Sequence, residues 1–150
     1  MIRNSNGDFI GGMAIPLGNQ TNHVVEASAA LYGLIYAKYL NLKNIWIEGD
    51  SLNIINCLNK INPPLWTISN IISKAIYIIN SFNNCIISHN YREANGLADW
   101  ASKVACLNDH NIIWESYDTL PPKVHDHINH DKWRSWQKSF NYEDVSELRV

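Results

Sequence analysis

Three acidic residues lie in stretches that are otherwise small or apolar. Glu26 belongs to VVEASAALYGLIYAKYL, Asp50 closes the alternating NIWIEG, and Asp99 opens the apolar run of NGLADWASKVACL. A carboxylate on a mostly apolar element needs a partner, because burying it alone is costly. A divalent cation can be that partner, since hard ions such as Mg²⁺ bind a few carboxylates together with water and phosphate oxygens. Two such ions about 4 Å apart activate a water and stabilise the leaving oxygen of a phosphodiester. Glu26, Asp50 and Asp99 are therefore candidate metal ligands and catalytic residues. Spacing alone allows a plainer account, in which Glu26 sits near a helix start, Asp50 caps the next helix and Asp99 pairs with Lys103 at i+4.

The elements that would position these residues follow from turn chemistry and periodicity. Asn4-Ser5-Asn6-Gly7-Asp8 reads as a hairpin turn, with only residues 1–3 left for the incoming strand and 9–15 for the returning one. Residues 24–40 form the best helix of the sequence. Along it Glu26, Ala30, Gly33 and Ala37 share a stripe of small residues, which lets a helix approach a sheet closely. Residues 44–48 alternate as a strand, and Gly49-Asp50-Ser51 breaks it and opens a helix to Leu58. After Pro63-Pro64 helical spacing runs over residues 66–82, followed by a buried strand at 85–88, a loop at 89–93 and a helix at 94–107. The order is β-hairpin, α, β, α, α, β, α. It predicts an α/β fold with a mixed sheet flanked by helices and a right-handed crossover, with any site at the C-terminal ends of its strands. Residues 108–150 lack sustained period and read as a partly ordered tail with a short helix near 131–140.

Composition narrows the class. A chain of 150 residues, 46% hydrophobic and 17% charged, is one globular domain with a core of its own. No segment is apolar enough over about 18 residues to span a bilayer, and the N-terminus lacks the apolar stretch of a secretory signal, so an intracellular protein without membrane contact is expected. Cys57, Cys85 and Cys106 are odd in number and set among apolar residues, which predicts buried free thiols. A net charge of −2 supplies no large positive field, so composition does not suggest nucleic acid. Trp46, Trp66 and Trp100 lie inside apolar patterns and are expected in the core.

The local motifs go further. IRNSNGDFIGG, VVEASAALYGLIYAKYLNLKNIWIEGDS and ISHNYREANGLADWASKVA together resemble the ribonuclease H-like domains common in plant genomes, which are related to the ribonuclease H portion of plant retroelements. The likeness covers an arginine-containing hairpin, the first helix, the strand with its Asp-Ser junction, the His-loop-Arg-Glu-Ala-Asn segment and the Asn-x-x-x-Asp helix start, over roughly residues 1–107. It implies the ribonuclease H-like fold and endonucleolytic cleavage of the RNA in an RNA–DNA hybrid, with Mg²⁺ or Mn²⁺ as cofactor. It also implies that Glu26, Asp50 and Asp99 are metal ligands. Ser51 and Asn95 are supporting matches, and Asn95, one helical turn before Asp99, reads as a helix cap ahead of a loop anchor or a contact to the hybrid's backbone. His89 and Arg92 match the loop in which family members assist proton transfer or product release; a structural histidine and a surface charge are the alternatives.

One departure sets the expectation for activity. Family members begin with a strand bearing an Asp-Gly-Ser motif, whose Asp bridges both metals, ahead of the hairpin that opens this sequence. The first strand is thus expected to be missing and the carboxylate set one member short. Asp8 lies in the hairpin turn and is not expected to replace it. The sequence leaves open a nuclease, an inactive nucleic-acid-binding module or retroelement relic, and a chain unstable for want of a central strand.

Overall fold

A computed structural model describes residues 1–91, 96–126, 128 and 145–150. The chain opens with the expected hairpin, β1 (Ile2–Arg3) antiparallel to β2 (Phe9–Ala14). The Asn4 side chain organises the turn, its Oδ1 accepting from the Asn6 N–H at 3.0 Å and the Asp8 N–H at 2.8 Å. Gly7 has φ +78°, a conformation that costs glycine nothing. Asp8 accepts a hydrogen bond from Asn4 Nδ2 at 3.2 Å and so belongs to the turn.

Next come α1 (Asn22–Tyr39), β3 (Asn44–Gly49), α2 (Leu52–Leu58), α3 (Ser69–Ile79), β4 (Asn84–His89) and α4 (Gly96–Leu107). β3 and β4 are parallel neighbours joined through α2 and α3. The helix expected from residue 66 begins only at Ser69, because a turn follows the two prolines. Trp66, left on that turn, is 87% exposed, so it is not a core residue. Trp46 and Trp100 are partly buried, the latter tilted against Trp114 at 4.9 Å. Of the three free thiols only Cys57 is buried; Cys106 points outward from α4.

The remaining described segments join the sheet. β5 (Ile112–Trp114) pairs antiparallel with β2. Beyond it Leu120, Val124 and Ile128 pack with Leu97 and Ala101 of α4 against Met1, Ala14 and Trp114. β6 (Ser146–Arg149) lies inside the sheet, between β1 and β3, and the strand order is β4-β3-β6-β1-β2-β5. It runs antiparallel to β1 and parallel to β3. Residues 146–149, expected within a partly ordered tail, thus supply an interior strand next to β3. The short helix expected at 131–140 falls outside the described residues.

The result is a three-layer α/β/α arrangement. On one face α1, α2 and α3 cover Ile2, Ile45, Ile47 and Leu148; on the other lies α4 with the segments beyond it. The small stripe on α1 meets β6: a Cβ added at Gly33 would stand 2.8 Å from Leu148 Cδ1, and Leu148 is 1% exposed. Glycine in a helix interior ordinarily costs about 1 kcal/mol relative to alanine, so a glycine here reflects the close approach.

That approach predicts a reversal of sign. Gly33→Ala should destabilise the protein by about 1 kcal/mol, because the new methyl must displace a buried leucine. In a Leu148→Ala background the same change should stabilise by about 1 kcal/mol, its ordinary helix effect. Urea unfolding of the four proteins reads this directly; an equal effect of Gly33→Ala in both backgrounds would remove β6 from against α1.

Candidate functional site

The ends of β3 and β4 lie side by side, and four expected residues, Glu26, Asp50, Ser51 and His89, meet there. Ser51 precedes α2 at its N-cap position but makes no side-chain cap hydrogen bond. Instead its hydroxyl donates to Glu26 Oε2 at 2.7 Å, tying α1 to the end of β3. His23 Nδ1 stands 4.0 Å from the same oxygen. Asp50, between Ser51 and the strand, is exposed to solvent. From β4, His89 Nε2 lies 3.1 Å from the Asp50 carbonyl oxygen, a hydrogen bond in the tautomer that protonates Nε2. The Asn90 N–H donates to the Gly49 carbonyl at 2.9 Å and closes the two strand ends together.

Asp99 lies in the first turn of α4, a helix on the other face of the sheet from α1. Lys103 Nζ approaches its Oδ2 to 2.6 Å, the i+4 pair anticipated as the plainer account. Arg92 and Asn95 lie outside the described residues. Among the described residues, no group of three or more His, Cys, Asp or Glu side chains is placed to hold a metal ion. Asp99 is drawn instead into the lysine pair on its own helix, while Glu26 and Asp50 lie at the end of β3. These side chains, as placed, do not fit a pair of Mg²⁺ or Mn²⁺ ions.

Two features escaped the sequence. Tyr91 is 75% exposed and meets the His89 ring edge-on at 5.5 Å, adding an aromatic surface beside Asp50. Nothing in its spacing distinguishes it from any loop tyrosine. The second feature is a set of buried charges beneath the strand ends. Glu48 and Arg149 are opposite one another on β3 and β6, with Arg149 Nε 3.6 Å from Glu48 Oε2. Arg149 Nε also donates to Glu147 Oε1 at 3.1 Å, and Glu147 Oε2 stands 3.8 Å from Arg3 Nε. Asn90 Nδ2 donates to Glu48 Oε2 at 2.9 Å, and Ser88, which receives the Trp46 indole N–H at 2.7 Å, lies 3.5 Å from Glu48 Oε1. Arg3, Glu48, Glu147 and Arg149 are all buried. Their alternation with Ile2, Ile47 and Leu148 was open to view, but charges on a strand read as solvent-facing until their partners are known.

Burial pushes the Glu147 carboxyl up, yet a hydrogen bond with Glu48 and the charges of Arg149 and Arg3 overcome this and hold it at about 2. Burial alone pushes the Cys85 thiol up to about 11, so it stays protonated near neutrality. Because the folded-state value of Glu147 is below its ordinary 4.5, its contribution to stability is complete above pH 4.5 and is lost as the pH falls toward 2. Thermal unfolding between pH 6 and 2.5 should show a steep loss over that window. Glu147→Gln should lower stability at pH 6 and flatten the acid slope; an unchanged slope would mean that other carboxylates carry it.

A sequence model of a family described as reverse transcriptase-like matches residues 1–105. No curated protein matches the chain.

Proposed function

The chain belongs to the reverse transcriptase-like family, and on that basis we propose that its ribonuclease H-like domain binds RNA–DNA hybrid without cleaving it efficiently. The family implies nucleic acid as the partner class, and its members usually use divalent metals. The single observation that carries the non-cleaving reading is the identity of the strand beside β3. The resemblance implies that a further carboxylate on a neighbouring strand, beyond Glu26, Asp50 and Asp99, would complete a two-metal site. The strand in that place is β6, and it sets Arg149 opposite Glu48. Its own carboxylate, Glu147, is buried between arginines and is not offered at the sheet edge.

In this reading the hybrid lies across the ends of β3 and β4. Tyr91 supplies a face on which a sugar or base can stack, and Arg92 and Asn95 supply contacts to the phosphate backbone. His89 is a positioning residue that fixes the Asp50 backbone. A descent from retroelement ribonuclease H accounts for the retained Glu26, Asp50 and Asp99 pattern.

A second reading, Mg²⁺- or Mn²⁺-dependent cleavage through Glu26, Asp50 and Asp99, is favoured by one contact. The Ser51 hydroxyl holds Glu26 at the strand end that bears Asp50. One experiment separates the two. Fluorescence anisotropy with a labelled RNA–DNA hybrid should show binding that weakens linearly in logarithm as salt rises, with no Mg²⁺-dependent cleavage on gels. Asp50→Asn should leave affinity unchanged or raise it, since it removes a negative charge near phosphate. Cleavage that Asp50→Asn abolishes would replace the binding reading with the enzymatic one, and absence of binding at low salt would reject both.

A further inference from the structure

Among the described residues β6 is flanked by β1 on one edge and β3 on the other, with α1 beneath. Both edges come from distant sequence, and the Met1 N atom donates to the Arg149 carbonyl across 148 positions of the chain. The slot has a distinct chemistry on each face. Toward α1 it is apolar, formed by Ile2, Ile45 and Ile47 and left open by the absence of a side chain at Gly33, and it takes Leu148. Toward the opposite face it presents Arg3 on one wall and Glu48 on the other, and it takes Glu147 and Arg149 with the signs matched.

This alternation fixes register. A slip of one residue would turn Arg149 onto the small-residue stripe of α1 and Leu148 among the charges. A slip of two residues would keep the faces but separate Glu147 from Arg3 and Arg149 from Glu48. A strand enters this slot well only as an extended Glu-apolar-Arg segment. We propose that the slot between β1 and β3 is a strand-acceptor site, and that a second copy of this chain fills it with its own Ser146–Arg149 as its own chain does here. The partner is specified by charge complementarity: Arg3 and Glu48 select the pattern that β6 of any copy carries, and exchange of an identical element leaves every one of these contacts intact. The proposal is independent of whether the domain binds hybrid.

The test uses the unaltered chain. Donor- and acceptor-labelled full-length populations are mixed at high concentration, warmed to just below the unfolding transition and cooled, then separated by size. Energy transfer confined to a dimer peak, rising with concentration, is expected. The peptide Val-Ser-Glu-Leu-Arg-Val, corresponding to residues 145–150, should compete and return the protein to monomer. The same peptide with lysine in place of glutamate should compete more than about tenfold less well, because it leaves Arg3 facing a like charge. A protein monomeric at every concentration would overturn the proposal, as would a dimer that neither peptide disperses or that both disperse equally. Binding of the peptide by a chain that never dimerises would also overturn the assignment of a second copy as the occupant.

Discussion

The sheet depends on pairing buried charges across β1, β6 and β3. Removing Arg3, Glu48, Glu147 and Arg149 from water carries a desolvation cost of several kcal/mol per ion, recovered only where partners are close and remaining lone pairs are bonded. Here the partners come from three strands, and Ser88 and Asn90 extend the arrangement to β4. Such an arrangement contributes less net stability than apolar residues of similar volume often would. What it confers is selectivity, because breaking any one pair costs about 3–5 kcal/mol and only one strand order and one register keep all of them.

That same arrangement positions the candidate site. Glu48 is one of its members and Gly49-Asp50-Ser51 follows immediately, so the end of β3 is anchored from below by ion pairs and from the side by Asn90. Ser51 then reaches across to Glu26, giving up the helix-capping role its position would allow. The Glu26–Ser51 contact is partly exposed, and its value is geometric. Asp99 differs because its lysine partner, one turn along the same helix, is a local choice that needs nothing from the sheet.

Much of this was legible in the residues. Alternation and turn chemistry located β1 to β4, and helical period located α1 through α4 to within a few residues, because each buries an apolar face that repeats at its own period. The Ala30, Gly33, Ala37 stripe announced a close helix approach without revealing what approached. β6 was illegible because its inward residues on one face are charged, and the neutralising partners lie about 100 and 145 positions away in sequence. Trp66 failed for a different reason: the two prolines delay the helix past the point where its apolar pattern starts. At the site, residue types pointed to Glu26, Ser51, Asp50 and His89, whereas the exposed ring of Tyr91 carried no periodic mark at all.

The position of β6 also sets the order of events in folding. An interior strand of this sheet is supplied by residues 146–149, while its neighbours are supplied by residues 2–3 and 44–49. During synthesis β1, β2 and the β3-α2-α3-β4 unit emerge early, yet the ladder between β1 and β3 cannot close until residues 146–149 have left the ribosome. Closing so long a loop is entropically expensive, and contacts of this sequence separation slow folding. Until then β1 and β3 each carry an edge that only β6 pairs in the finished sheet, the kind of open edge along which chains associate wrongly.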